Sequence, residues 1–343
     1  MNGEPGRFLL IKTGAAPRMK KISIIVPCYN EEAVLPELFR RIASVAPAWN
    51  LDYEVICVDD GSQDRTWELL SAQHQKDARW SGLSFARNFG HQTAVSAGLH
   101  YAQGEAVVVL DADLEDPPEE IARLLEKWRD GYDVVYAIRQ KRKESWPKRF
   151  CYWAFYRLMA SLVSFEIPLD TGDFCLISRR VADTINAMPE RNRFVRGLRA
   201  WSGFRQVGIT YERAARFAGT TKYSFGKLVR LATDGLFSFS TVPLRVATYL
   251  GLSVSALAFF GAVFTLVQKI FSAQFAKIGL APTSGFPTIV ISILFLGGVQ
   301  LICLGILGEY IGRIYEEVKG RPLWILRDSA GLTQDKAAAP NKA

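Results

Sequence analysis

The chain carries no G-x-G-x-x-G turn and no Walker A sequence, so neither a dinucleotide-binding nor a P-loop reading has a motif to stand on. Its five cysteines, Cys28, Cys57, Cys151, Cys175 and Cys303, show no paired metal-ligand spacing. That argues against a zinc site or a disulfide frame and for reduced thiols in a cytosol-facing protein. The opening residues 1–18 offer only Phe8-Leu-Leu-Ile11, too short for a signal-peptide core, and read as an N-terminal tail with Met19 as an alternative start. A strong charge bias is missing too. The 42 basic and 34 acidic side chains leave +8, which fits RNA, anionic lipid or phosphorylated substrates alike, so placement has to decide.

What the chain has in quantity is apolar sequence, 49% of 343 residues. Residues 246–267, bracketed by Arg245 and Lys269, and residues 286–308, ahead of Glu309, are free of charge for longer than the about 20 residues a membrane-crossing helix needs. Helices of a soluble core rarely run that far without a charged face. Two spans return the chain to its starting side, with residues 268–285 as the outer connection. Arg230 and Arg245 before the spans and Arg313, Lys319, Arg321 and Arg327 after them outweigh Lys269 and Lys277 between them. This orients the protein as a multi-pass chain of the cytoplasmic membrane with its large N-terminal part in the cytoplasm. The expected organisation is a tail 1–18, an α/β domain 19–224, a juxtamembrane interfacial helix 225–245, a two-helix transmembrane region 246–312 and a cytoplasmic tail 313–343. Beyond Arg327 that tail is polar and Ala-rich and reads as disordered.

Between residues 22 and 138 apolar, β-branched runs alternate with helical patterns. Strands are expected over 22–26, 53–58, 83–85, 107–110 and 134–138. Helices are expected after Asn30-Glu-Glu32, which reads as a cap for the face formed by Leu35, Leu38, Phe39, Ile42 and Val45, and then from Asp64, over 93–99 and after Asp116-Pro-Pro-Glu119. This is the alternation of an α/β protein with a mostly parallel, doubly wound sheet. Each strand ends in polar residues: Tyr29-Asn30-Glu31, Asp59-Asp60, Arg87-Asn88, Asp111-Ala-Asp113 and Arg139. Open α/β sheets bind their ligands at that rim. Residues 106–119, AVVVLDADLEDPPE, are its centre. In an extended chain Asp111 and Asp113 point the same way and Glu115 is near enough to join them, a hard-oxygen set suited to Mg²⁺ or Mn²⁺ carrying a diphosphate. An isolated Asp-x-Asp is more often a solvated loop; the other strand ends argue for a site.

Residues 139–157 mix Arg139, Lys141, Arg142, Lys143, Lys148 and Arg149 with Trp146, Phe150, Tyr152 and Trp153. Such a mixture can stack nucleic-acid bases, but beside two spans it reads as a helix in the lipid headgroup layer, and no nucleic-acid partner is expected. Asp170-Thr-Gly172-Asp173-Phe174 reads as a tight turn that aims Asp173 at a site. Arg191, Arg193, Arg196 and Arg199 read as a basic helix, and with Arg205, Arg213, Arg216 and Lys222 they form a cradle for the phosphate of a lipid head.

Taken in order, Pro27-Cys-Tyr-Asn-Glu31, Val58-Asp-Asp-Gly-Ser62, Arg87-Asn-Phe-Gly90, Asp111-Ala-Asp-Leu-Glu-Asp-Pro-Pro118, Asp170-Thr-Gly-Asp-Phe174 and Ala218-Gly-Thr-Thr-Lys-Tyr223 resemble the polyprenyl-phosphate glycosyltransferases of family 2. The resemblance spans about residues 20 to 325, including both spans and Gly308-Glu-Tyr-Ile-Gly-Arg313. It implies a GT-A catalytic domain that transfers a hexose, glucose from UDP-glucose foremost, to undecaprenyl or dolichyl phosphate with inversion. It also implies that Pro27, Tyr29, Asn30, Glu31 and Asp60 hold the base and ribose, and that Asp111 and Asp113, with Glu115 beside them, hold the nucleotide and its Mg²⁺ or Mn²⁺. Arg139 then holds the diphosphate, Asp173 and Asp113 serve the reacting centre, and Arg205, Arg216 and Lys222 hold the lipid phosphate. A homo-oligomer, a tetramer among its forms, follows from the same likeness, with Gly297, Gly298, Gly305, Gly308 and Gly312 as contact positions. Two residues depart from the pattern: Glu115 where the family usually has glutamine, and Cys175 where relatives often have arginine. Other donors, GDP-mannose or a UDP-linked aminoarabinose, and a non-catalytic lipid-phosphate or nucleotide-sugar binding protein are the competing readings. A processive polysaccharide synthase needs more spans than two.

Overall fold

The computed structural model describes residues 21–139, 171–191, 193–212, 241–277 and 285–332. In chain order the elements are β1 (Lys21–Cys28), α1 (Leu35–Val45), β2 (Asp52–Asp59), α2 (Thr66–Lys76), β3 (Trp80–Phe85), α3 (His91–Tyr101), β4 (Ala106–Val109), α4 (Ile121–Arg129), β5 (Val134–Arg139) and β6 (Thr171–Ser178). There follow α5 (Arg179–Ala187), α6 (Val195–Trp201), β7 (Gln206–Tyr211), α7 (Val242–Ile270), α8 (Ser272–Lys277), α9 (Phe286–Val318) and β8 (Leu326–Ala330). The strands form one sheet in the order β7-β5-β6-β4-β1-β2-β3-β8. β6 runs antiparallel to β4 and β5, and β8 antiparallel to β3, while the other pairings are parallel.

Period-two alternation sorts the strand residues onto two faces. Ile22, Ile24, Val26, Val55, Cys57 and Val108 pack with Leu35, Leu38 and Ile42 of α1 on one face. Ile25, Ile56, Val58, Val107 and Val109 pack with Ala94, Ala97 and Leu99 of α3 on the other. Both faces are covered, which is why the inner strands read as unbroken apolar runs. At Gly98 helix α3 approaches β1 so closely that a Cβ would lie 2.2 Å from Cγ2 of Ile25.

Helices α7 and α9 differ from all the others. They have 29 and 33 residues, so at about 1.5 Å per residue each exceeds the about 30 Å of a bilayer's hydrocarbon layer. They contact each other, yet Leu257 is 72% and Leu301 71% exposed. No soluble core covers them; they are an apolar hairpin long enough to cross a membrane.

Several expectations need correction. The stretch after the second apolar helix is not a tail: α9 continues to Val318, and Leu326–Ala330 returns as β8 beside β3. Asn30 does not cap α1, whose N-cap is Val34 without a side-chain bond; Asn30 takes φ +55° and its Oδ1 accepts the amide of Gln63 at 2.8 Å. Residues 171–174 are not a tight turn but the start of β6. Of the four arginines read as one basic helix, α6 contains Arg196 and Arg199. Arg193 precedes it, buried, and donates to the carbonyls of Ile185 and Met188 at the end of α5. The two interfacial stretches, 140–157 and 225–239, lie outside the described residues.

Candidate active site

The rim lies where the parallel strands end. The loops after β1 and β2 are laced together by polar bonds. Asp59 Oδ1 accepts the amide of Ser62 at 2.9 Å, the Ser62 hydroxyl accepts the amide of Asn30 at 2.9 Å, and Thr66 Oγ1 accepts that of Glu31 at 2.9 Å. Glu32 and Asp64 close the same seam, the Glu32 amide donating to Asp64 at 3.1 Å. Tyr29, 36% exposed, stands above this frame, and Pro27 is buried in β1 beneath it. Asp60 turns its carboxylate to the amides of Phe89 at 2.6 Å and Gly90 at 2.9 Å, so it fixes the loop after β3. Burial, opposed by those amides, raises its pKa. Gly61 allows that packing: its φ is +71°, and a Cβ would lie 2.4 Å from the carbonyl carbon of Arg87.

The centre of the rim is Asp173, near the start of β6. Because β6 is antiparallel to β4, with Cys175 in register with Val109, its first residues arrive beside the end of β4, where Asp111 stands. Three side chains converge on the Asp173 carboxylate: His91 Nε2 at 3.1 Å, Gln92 Nε2 at 3.1 Å and Arg196 Nη2 at 3.2 Å. Gln92 in turn accepts the amide of Val195 at 2.9 Å, tying the first turn of α3 to that of α6. Burial would raise the Asp173 pKa, but Arg196, His91 and Arg199 together hold it well below the usual carboxylate range. Partial desolvation works against the charge on His91; its bond to Asp173 and the nearby Asp111, 3.7 Å away, win and push its pKa up to about 9. Near neutral pH the centre therefore holds a fixed carboxylate between cations.

Asp111 is in the opposite condition. Desolvation, with Asp173, Asp116 and Asp113 as neighbours and only His91 opposing, raises its carboxyl to about 6. Its Oδ1 is buried and accepts no hydrogen bond. A divalent cation would relieve both the crowding of carboxylates and the orphaned oxygen, so the donor set fits Mg²⁺ or Mn²⁺. The chain does not stay extended here. Leu114 takes φ +59° and Asp113 Oδ1 accepts the amide of Glu115 at 3.1 Å, so Glu115 is reached by a turn and is 8% exposed. Among the described residues no three His, Cys, Asp or Glu side chains converge as a ready-made metal cluster.

Arg139 ends β5 on the same rim, in register with Tyr211, whose hydroxyl donates to buried Asp116. Arg216 and Lys222 lie outside the described residues. Arg205 does not join the site: it precedes β7, and its carbonyl accepts the amides of Asp133 and Val134 at the start of β5. β5 runs parallel to β4, so Arg205 stands at the opposite edge, its guanidinium 4.7 Å over the ring of Tyr132. His91 and Gln92 are site residues that sequence reasoning missed. Their one available sign was position, directly after the Arg87-Asn-Phe-Gly90 strand end.

The same edge meets the apolar hairpin. Glu317, in the last turn of α9, accepts the amide of Arg191 at 2.8 Å, just ahead of α6, and β8 enters the sheet beside the end of β3.

The sequence profile of glycosyl transferase family 2 matches residues 23–185, and that of the GtrB C-terminal hairpin matches residues 242–314. An uncharacterised glycosyltransferase of Synechocystis sp. is 46% identical, covering 91% of this chain and 96% of that protein. The SfII prophage-derived bactoprenol glucosyl transferase of Shigella flexneri is 41% identical, covering 90% of this chain and 98% of that protein. Among solved structures, glucosyl-3-phosphoglycerate synthase of Mycobacterium tuberculosis, in complex with Mn²⁺, uridine diphosphate and glucosyl-3-phosphoglycerate, matches at 18% identity and a TM-score of 0.43, over 64% of this chain and 78% of that one. Identity of 41–46% to these relatives over at least 90% of the chain places it in glycosyl transferase family 2 and makes it a glycosyltransferase.

Proposed function

We propose that the protein transfers glucose from UDP-glucose to a polyprenyl phosphate, undecaprenyl phosphate first among them, with inversion, at the cytoplasmic face of the membrane. One observation carries the reading. Asp173, pinned by His91, Gln92 and Arg196 beside Asp111, stands at the sheet edge where the apolar hairpin rejoins the domain. A lipid phosphate presented at the membrane surface and a nucleotide-sugar on the rim would meet there. Bactoprenol glucosyl transferases 40–41% identical to this chain support both the sugar and the acceptor.

An oxygen of the acceptor phosphate attacks the anomeric carbon from the face opposite the leaving group. The bond from that carbon to the diphosphate oxygen breaks, and its electron pair leaves on UDP. A phosphate monoester is largely ionised near neutral pH, so Asp173 has no proton to remove. Held ionised by its cations, it orients the acceptor and stabilises positive charge as it develops at the anomeric carbon. His91, Arg196 and Arg199 offset the repulsion between two anionic phosphates. The laced loops, with Pro27, Tyr29, Asn30 and Glu31, seat the base and ribose, Asp60 acting through the loop it fixes, and Arg139 serves the diphosphate. Asp111 and Asp113, with Glu115 beside them, would hold Mg²⁺ or Mn²⁺, which would supply charge neutralisation for the departing diphosphate. Arg216 and Lys222 remain candidates for the lipid phosphate. The hairpin is the membrane anchor, and the open surroundings of Gly297, Gly298, Gly305, Gly308 and Gly312 leave room for a second copy of the chain.

The test offers the purified protein labelled UDP- and GDP-sugars with undecaprenyl phosphate in detergent and follows label into the lipid fraction. Glucose from UDP-glucose is the expected transfer. Preference for GDP-mannose or UDP-aminoarabinose would change the donor, and no release of nucleoside diphosphate with any donor would overturn the enzyme reading.

A further inference from the structure

Asp59 is fully buried at the end of β2, directly beneath the loop that the donor reading assigns to the nucleotide. A buried carboxylate needs hydrogen bonds and a counter-charge. The bonds are local: Oδ1 accepts the Ser62 amide at 2.9 Å and Oδ2 accepts the Ser84 hydroxyl at 2.8 Å. The counter-charge is not local. Among the described residues the one cation within ion-pair reach of Asp59 is Arg327, whose Nη2 lies 3.7 Å from Oδ2 and donates to the Ser84 hydroxyl at 2.9 Å.

Arg327 belongs to β8, and β8 is reached from α9 by the short connection 319–325. That connection is seated firmly. The amide of Ala86 donates to the carbonyl of Ile325 at 2.9 Å, and Trp324 stacks on Phe85 with ring centroids 6.4 Å apart. From Arg327 a continuous polar chain runs through Ser84, Asp59 and Ser62 to Asn30, whose left-handed backbone shapes the loop after β1. Arg327 is itself 45% exposed in its side chain, so its guanidinium keeps a wet face while its other side neutralises a dry carboxylate.

We infer that Arg327, delivered by the strand that follows the membrane hairpin, is a positioning residue for the nucleotide half of the donor. It acts through the Asp59–Ser62–Asn30 chain, so the donor pocket is complete only when the chain has passed through the hairpin and returned. This rests on the donor reading above, and it assigns a task to a stretch that neither the rim motifs nor the hairpin contains.

The experiment compares full-length wild type, Arg327→Met and Arg327→Lys in detergent, with Ser329→Ala, whose hydroxyl donates to the Leu332 carbonyl and not to the relay, as a control on the same strand. The readouts are KM for UDP-glucose, KM for undecaprenyl phosphate, and Kd for UDP and GDP by calorimetry. Loss of one charge-assisted contact predicts a donor KM raised about tenfold in Arg327→Met, with the UDP Kd rising alongside. The acceptor KM should stay within about twofold, Arg327→Lys should recover part of the loss because it keeps the charge but not the fork, and Ser329→Ala should match wild type. An unchanged donor KM, equal rises in both KM values, or a loss confined to kcat overturns the inference. If Arg327→Met does not fold, Ser84→Ala cuts the relay while leaving every residue of β8 unchanged and must give the same split between donor and acceptor; a parallel loss in both overturns it. Should wild type bind a nucleotide yet transfer no glucose, the functional reading falls, and the Kd values still decide Arg327. Binding of neither nucleotide overturns both.

Discussion

The loops after β1 and β2 and the surroundings of Asp173 share one rim but treat their polar groups differently. In the first region amides are answered by side chains at hydrogen-bond distance, among them Asn30 by Ser62, Glu31 by Thr66, Glu32 by Asp64 and Gln63 by Asn30. In the second, Asp111 Oδ1, Arg196 Nε, and Arg199 Nε and Nη2 are buried without a hydrogen-bond partner. A satisfied network makes a rigid frame, whereas buried charged atoms left open are what a charged substrate completes. The loops after β1 and β2 are thus built for shape and the surroundings of Asp173 for charge. Changes on the first should be felt in stability and donor affinity, and changes on the second in rate and pH dependence.

The largest effect expected is on rate. Asp173→Asn should lower glucosyl transfer by about a thousandfold while the Kd for UDP moves by less than about twofold. Single-turnover transfer alongside calorimetry checks this, and a large loss of UDP affinity would erase the distinction between the two sides. Next comes the frame. Gly61→Ala forces a Cβ against the carbonyl carbon of Arg87 at a positive φ and should cost about 2–4 kcal/mol in urea unfolding, with a raised donor KM. A variant as stable as wild type would mean the frame yields.

Asp111→Asn should separate stability from function. With the folded carboxyl raised to about 6 from an ordinary 3.8, any stability this group provides is fully present below pH 3.8 and lost as pH rises through about 6. At pH 7.5 its charge is a burden on the metal-free protein, so the amide should stabilise it by about 2 kcal/mol while transfer collapses. Thermal unfolding with and without divalent metal reads the first, and transfer of labelled glucose into the lipid fraction reads the second. The smallest effect belongs to His91. Its folded pKa, raised to about 9, gives a stabilisation fully present below pH 6.5 and lost as pH rises through about 9. Against His91→Gln, wild type should show an advantage of at most about 1 kcal/mol at pH 6, after allowance for the ring's exposure, and none at pH 10.

Much of the rim was legible because a doubly covered strand can only be apolar and must stop at its ligand edge. That logic located Asp59 and Asp111, while the length of their uncharged runs located the two apolar helices. It could not place residues whose position depends on sheet order. Asp173 lies beside Asp111 because β6 inserts antiparallel between β4 and β5, and no local pattern in Thr171–Ser178 encodes that neighbour. Arg205 failed for the same reason, since a basic residue near the rim in sequence came to rest at the far edge. His91 and Gln92 open a helix of small residues whose mean pattern says only that it packs closely. β8, Leu-Arg-Asp-Ser-Ala, was hidden because an edge strand half open to solvent need not alternate.

β7 and β8 are the two outermost strands of the sheet, and the hairpin lies between them in the chain. The sheet domain is therefore discontinuous in sequence, with the apolar hairpin inserted in the chain between its two margins. Severing the protein ahead of Val242 would not release an intact soluble fragment. It would strip the cover from β3, leave Gly82, Leu83 and Ser84 with unanswered ladder groups, and turn a closed margin into a template for aggregation.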